Sequence, residues 1–301
     1  MLKNWLLVIS FFFSSAHQIV IATIDLSSLS SLGIDSRLYN PALRLTTAGN
    51  QKFAVHTLQR SDQQSTKGIV VLCHGLEDSG RNCLKELEKF FPEYHIIAPD
   101  FPGHGDSSGR TTYGVTEYEC VDATLKHIYQ TNNGASSAKP VFLVGISMGG
   151  AAALKALGLG NPEDPHIKQV VGIITEGAPG NLYQAAQGQV PILQYLPWLA
   201  VNSIAGADVK STDIAQYGAN IKIPVHVIHS KDDAVVNFKQ AGIICSAVPN
   251  SQLISIKTCI HGNASGQYPS TYKRVVNDIF DKIIAGVAVT KKANTETVFT
   301  Q

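Results

Sequence analysis

The chain has 301 residues, 44% of them apolar and 16% charged, with a formal net charge of +1. That balance suits one large domain with a substantial core and excludes a disordered or fibrous chain. With 24 basic and 23 acidic side chains and no basic cluster, nothing favours nucleic acid or an anionic membrane surface as a partner.

The N-terminal stretch "MLKNWLLVISFFFSSA" carries a positive charge at Lys3, an apolar core from Trp5 to Phe13 and small residues ending at Ala16. This three-part pattern predicts a signal peptide over residues 1–16 and export to the periplasm or the medium, with Ala22 as a second cleavage point. The apolar span falls short of the ~20 residues that cross a bilayer, so no stable membrane anchor is expected after cleavage.

Further along, "FAVHTLQ" near Phe53 reads as an antiparallel edge strand. Apolar runs then alternate with amphipathic segments: "GIVVLCH" at Gly68, "HIIAPD" at His95, "VFLVGI" at Val141, "VVGIITE" at Val170, "VHVIHS" at Val225 and "LISIK" at Leu253. Between them, "RNCLKELEKFF", "EYECVDATLKHIYQ" and "YKRVVNDIFDKII" place apolar residues at three- and four-residue steps. The alternation predicts an α/β fold, a mainly parallel twisted sheet with helices on both faces, whose ligands bind beyond the carboxyl ends of the strands.

The domain reading is a core over 17–176 and 223–288, a cap or lid insertion over 177–222 where no strand is evident, and a flexible tail over 289–301. The five cysteines are too few for a disulfide framework; Cys83 with Cys120 and Cys245 with Cys259 stay open as pairs, and Cys73 reads as a small buried group. No CxxC or clustered histidine spacing suggests a metal.

Chemistry enters at "VGISMGG". Gly145, Ile146, Ser147, Met148 and Gly149 form G-x-S-x-G where a strand turns into a helix, a geometry that lifts the serine hydroxyl above the sheet and needs small residues two places to either side. A serine nucleophile needs a base and the base an orienting acid, and in the fold that carries such a strand-to-helix serine turn the chain order is serine, acid, histidine. His261 is the one histidine beyond "VHVIHS", and it follows the last strand-like run. The acid belongs in the loop after "VHVIHS", where Asp232 and Asp233 stand side by side. An oxyanion needs two donors, for which the backbone N–H groups of Met148 and of Leu76, in "HGLEDSG", are placed. His74 precedes both, which fits loop shaping better than catalysis.

In order, "HGLEDSG", "PDFPGHGDSSG", "GISMGG", "HSKDDAVV" and "CIHG" resemble the α/β-hydrolase superfamily over about residues 50 to 285 and, within it, the monoacylglycerol-lipase and carboxylesterase-like branch. The resemblance favours Asp233 as the acid, since "DAVV" is similar to the D-x-V-V that follows it in many hydrolases. It also implies that Asp100, His104 and Ser107 shape a loop beside the pocket. Ile146 stands where histidine is frequent and Ser230 where glycine is frequent, so monoglyceride specificity does not carry over.

The insertion's "VPILQYLPWLAV" offers Ile192, Leu196 and Trp198 either as walls of an acyl pocket or as a seal of the cap onto the core. Together these features predict an exported serine hydrolase that cleaves small to medium carboxylic esters, or lipid-like esters, through an acyl-enzyme and without a cofactor. A thioesterase or small peptidase with the same triad is the enzymatic alternative. A hydrolase-fold binding module is the non-catalytic one.

Overall fold

The computed structural model describes residues 42–60, 66–132, 139–189, 202–203, 206–286, 295–296 and 299. Residues 1–16, together with Ile192, Leu196 and Trp198, lie outside these described residues.

A single nine-stranded sheet runs in the order β1-β2-β4-β3-β5-β6-β7-β8-β9. Its strands are β1 (Leu43–Thr46), β2 (Lys52–Leu58), β3 (Gly68–Cys73), β4 (Tyr94–Pro99), β5 (Val141–Ile146), β6 (Val170–Glu176), β7 (Val225–Ser230), β8 (Ser251–Ile256) and β9 (Thr295–Glu296). The pairs β1–β2 and β2–β4 are antiparallel. From β4 onward every neighbour is parallel.

The helices among the described residues are α1 (Gly80–Leu87), α2 (Tyr118–Asn132), α3 (Met148–Leu159), α4 (Pro165–Lys168), α5 (Leu182–Gln189), α6 (Lys239–Ala247), α7 (Ala264–Gln267) and α8 (Pro269–Ile284). None is long and apolar enough to cross a membrane.

Strand alternation divides the interior in two. Ile69, Val71 and Cys73 of β3 face a core shared with Val121, Leu125 and Ile128 of α2, Ala152 and Ala156 of α3, and Ile244 of α6. Val70 and Leu72 face the opposite core, with Leu84 and Leu87 of α1 and Tyr272, Val276 and Phe280 of α8. Adjacent residues of one strand thus bury against different layers, so a central strand reads as an unbroken apolar run. Around Phe280 the second core is aromatic, with Phe142 stacked on it at a centroid separation of 3.9 Å. In α3, "MGGAAALKALGL" is buried on nearly all sides, consistent with a helix held between the sheet and its neighbours.

Three features differ from the sequence expectation. The Phe53 segment is not the sheet edge, because β1 pairs outside it. Three of the four residues of β1 are exposed, so this strand carries no apolar run to announce it. Part of the interval expected as a cap belongs to the main core: Ile214, Tyr217 and Ile221 lie in the same cluster as α2 and α3, on short 3₁₀ turns. Finally, within the tail expected to be flexible, β9 pairs with Ile254 and Ser255 of β8, and Phe299 packs edge-on against Tyr268.

The cysteine pairs that the sequence left open are not bridged. Cys83 sits in the core of α1 and α8 while Cys120 sits in that of α2 and α3; Cys259 and Cys245 are divided the same way.

Candidate active site

Ser147 links the last residue of β5 to the first of α3, with φ 52° and ψ −120°. This is a conformation that glycine adopts and other residues occupy only under strain. Backbone bonds over-determine it: the Ser147 N–H donates to the Glu176 carbonyl at 2.8 Å, and the Ser147 carbonyl accepts from Gly150 at 3.0 Å and Ala151 at 3.2 Å. The flanking glycines are steric requirements. A Cβ on Gly149 would lie 2.1 Å from the Cys73 carbonyl oxygen, and one on Gly145 would lie 2.5 Å from the Gly150 Cα.

The nucleophile, base and acid of the sequence reading meet at the carboxyl edge of the sheet, from β5, β8 and β7. Ser147 Oγ lies 2.9 Å from His261 Nε2, and His261 Nδ1 lies 2.7 Å from Asp233 Oδ2. A carboxylate only accepts, so Nδ1 carries the proton and Nε2 is left as the acceptor for the serine hydroxyl. The other carboxylate oxygen, Oδ1, accepts from the N–H groups of Val235 and Val236, both at 2.8 Å. Burial pushes the Asp233 carboxyl up, but the hydrogen bond and charge of His261, with the two N–H donors, outweigh it and hold the group below the ordinary carboxylate range. Asp232 is exposed and accepts from Thr258 Oγ1 at 2.9 Å, turned away from His261.

Beneath this relay the chain has no room for a side chain. Gly177, at φ +60°, would place a Cβ 3.0 Å from His261 Cε1 and Nδ1. Beside it, His229 donates through Nε2 to the Val236 carbonyl at 2.8 Å, which helps fix the turn that offers N–H groups to Asp233.

Leu76 and Met148 flank the serine. A Cβ built on Gly75 would stand 3.5 Å from Ser147 Cβ, so the backbone entering Leu76 runs close to the serine turn. The loop is held by His74, whose Nδ1 faces the Gly75 carbonyl at 2.7 Å and whose Nε2 accepts from the Phe101 N–H at 2.9 Å. Both bonds require a neutral ring, and burial pushes its pKa down to about 4.

Asp100 shapes the neighbouring loop. It accepts from Gly80 N–H at 2.7 Å, Asp106 N–H at 2.7 Å and His56 Nε2 at 2.9 Å. Ser107 Oγ donates to the Asp100 carbonyl at 2.7 Å, and His104 Nδ1 donates to the Pro102 carbonyl at 3.0 Å. His56, Asp100 and Asp106 could together offer ligand atoms to a cation, the atoms lying within 4.8 Å of one another. They are already paired among themselves, and the Arg81 guanidinium sits 2.9 Å from Asp106.

One buried group near the relay escaped the sequence reading. Glu176 ends β6 and is only 4% exposed. Its Oε1 accepts from the Ala264 N–H at 2.8 Å, while Oε2 has no partner among the described residues. Burial pushes this carboxyl up to about 7, against the Ala264 N–H and the His261 charge that pull it down. An acid closing an apolar run at the carboxyl edge of the sheet was the available signal.

The fold agrees with comparison to known proteins. The alpha/beta hydrolase fold family matches residues 68–205, an interval from β3 through the serine turn to β6 and beyond. The chain has the α/β-hydrolase fold. It is 27% identical over 179 residues to the magnesium-chelatase 30 kDa subunit of Rhodobacter capsulatus, covering 53% of this chain and 58% of that one. It is 26% identical over 189 residues to the lysophosphatidylserine lipase of Danio rerio, covering 58% and 46%. The chain thus spans about half the length of these curated relatives.

Among solved structures, an esterase of Pyrococcus furiosus superposes with a TM-score of 0.63 at 20% identity, covering 88% of this chain and 98% of that one. Est1E of Butyrivibrio proteoclasticus, with ferulic acid bound, gives 0.62 at 14% identity, covering 81% and 100%. At these identities the likeness is one of fold.

Proposed function

We propose that this chain, with its α/β-hydrolase fold, is a serine hydrolase cleaving carboxylic esters of small to medium acyl chains, in the manner of an esterase or monoacylglycerol lipase. The observation that carries the reading is the unbroken line of hydrogen bonds from Ser147 through His261 to Asp233, with the serine raised on a strained turn at a helix N-terminus. Likeness to a lipase and to esterases supports the ester substrate class.

In this reading Ser147 Oγ attacks the ester carbonyl carbon as His261 Nε2 takes its proton. Asp233 holds the imidazole by Nδ1 and stabilises the imidazolium. The N–H groups of Leu76 and Met148 receive the oxyanion, which collapses to expel the alkoxide, and His261 protonates it to the alcohol. Water, deprotonated by His261, then attacks the acyl-enzyme, and the carboxylic acid leaves with Ser147 restored. Every proton is passed and returned by one imidazole. We also read residues 1–16 as an export signal.

The test is hydrolysis of p-nitrophenyl esters from acetate to palmitate by protein beginning at His17, with Ser147→Ala alongside. Activity that peaks at short or middle chain lengths and vanishes in the variant is expected. A native protein inert to all of these esters yet labelled at Ser147 by a fluorophosphonate would overturn the ester assignment and turn attention to thioesters and peptides.

A further inference from the structure

Ser147 and His261 come from different strands, and something must fix the gap between them to the 2.9 Å at which a proton passes. Asp233 orients the ring but does not set where the ring's backbone stands. That backbone, residues 261–263, leads directly into α7 at Ala264.

The Ala264 N–H points into the protein and ends on the Glu176 carboxyl at 2.8 Å. Ala264 is fully buried, so without that acceptor its N–H would face no water. Glu176 is also the residue whose backbone carbonyl accepts the Ser147 N–H at 2.8 Å. It lies directly across from Ile146 in the parallel register of β5 and β6. The next residue, Gly177, forms the floor under the His261 ring. One residue at the end of β6 therefore grips both ends of the relay, the nucleophile by its main chain and the base's loop by its side chain.

We propose that Glu176 is a positioning residue for His261, a spacer whose carboxyl docks the histidine loop at a fixed distance from the serine turn. The inference rests on the acyl-transfer reading above. The task asked of Glu176 is that of a hydrogen-bond acceptor and not of a standing charge. This agrees with a buried carboxyl that has one oxygen unpartnered among the described residues and is held at a raised pKa of about 7. Glutamine, which keeps the accepting oxygen without a charge, should therefore substitute. Methionine, of similar bulk but without an acceptor, should not.

The experiment uses the full chain and its Glu176→Met, Glu176→Gln and Glu176→Asp variants. It measures kcat and KM on p-nitrophenyl butyrate, the rate of fluorophosphonate labelling at Ser147 and thermal unfolding. Misplacing a general base by a fraction of an ångström lowers the chemical step and spares binding. We therefore expect kcat in E176M to fall about tenfold or more, with labelling slowed in parallel and KM within about twofold, while E176Q recovers kcat to within about threefold.

Native kcat and labelling in E176M would overturn the proposal, as would an E176Q as impaired as E176M. If E176M does not fold, E176D carries the test. It keeps the carboxyl but shortens its reach, so a several-fold fall in kcat at constant KM supports the spacer and an unchanged kcat overturns it. If the native chain is not labelled at all, the acyl-transfer reading fails. The positioning inference is then read from the downfield Nδ1 proton of His261 in NMR spectra, which should be retained in E176Q and shifted or lost in E176M; an unchanged resonance in E176M would overturn it.

Discussion

Ser147→Gly and Ser147→Ala both remove the hydroxyl, so both lose the hydrogen bond to His261 and all activity that depends on it. They differ in the backbone. At φ 52° and ψ −120° alanine inherits the strain of the native serine, of order 1–3 kcal/mol, whereas glycine adopts this region freely. Against that gain, glycine gives the unfolded chain extra freedom worth roughly 0.5–1 kcal/mol. The difference leaves S147G more stable than S147A by about 1 kcal/mol, or roughly 2–4 °C in melting temperature for a domain of this size. Urea unfolding of the two variants, with equal m-values as the check that the unfolded states match, measures it directly. An S147G less stable than S147A would show that the turn stores less strain than the roughly 0.5–1 kcal/mol glycine costs in the unfolded chain, below the range argued for this geometry.

Asp233→Asn should lower kcat by about 10³-fold or more, because the amide no longer selects the His261 tautomer, whereas Asp232→Asn should stay within about twofold; equal losses in p-nitrophenyl ester assays would refute the assignment. Glu176 is held up at about 7 against an ordinary value of 4.5. The folded protein thus keeps a proton that the unfolded chain releases, and folding stability falls as pH rises from about 4.5 through 7. At 1.36 kcal/mol per tenfold, E176Q, which cannot ionise, should gain on the native chain by up to about 3 kcal/mol between about pH 5 and pH 8 in unfolding titrations; a pH-independent difference would contradict a buried protonated carboxyl. Gly149→Ala should unfold or misplace the turn, since its methyl would meet the Cys73 carbonyl at 2.1 Å, with a loss of about 3 kcal/mol or more; a soluble, fully active G149A would refute that packing.

The centre of the fold was legible because β5, β6 and β7 are buried on both faces, and an unbroken apolar run bounded by turns states its own limits. β1 was not, since four mostly exposed residues carry no such pattern. Nor was α6, whose "KQAGIICSA" has a glycine in its middle and buries only Gln240, Ala241 and Ile244. At the site, the serine turn was readable because its geometry imposes glycine at fixed places on either side. The two aspartates could be separated only by a pattern of neighbours, and the structure turns one inward to His261 and the other outward to Thr258. Glu176 shows the limit of such reading. Whether an acid at a strand end is solvated or buried depends on a helix supplied 88 residues later, and no local pattern carries that information.

The hydroxyl and the imidazole that would act together are 114 residues apart in the chain, and β6 and β7 must both be paired between their strands before they meet. Hydrolytic activity is therefore an all-or-none report on the assembled sheet. A chain arrested after β6 has paired with β5 would hold the serine turn and still be inert, because β7 and β8 are not yet in place. Recovery of turnover after dilution from denaturant should lag behind recovery of helical signal, and it would time the docking of β8 onto β7.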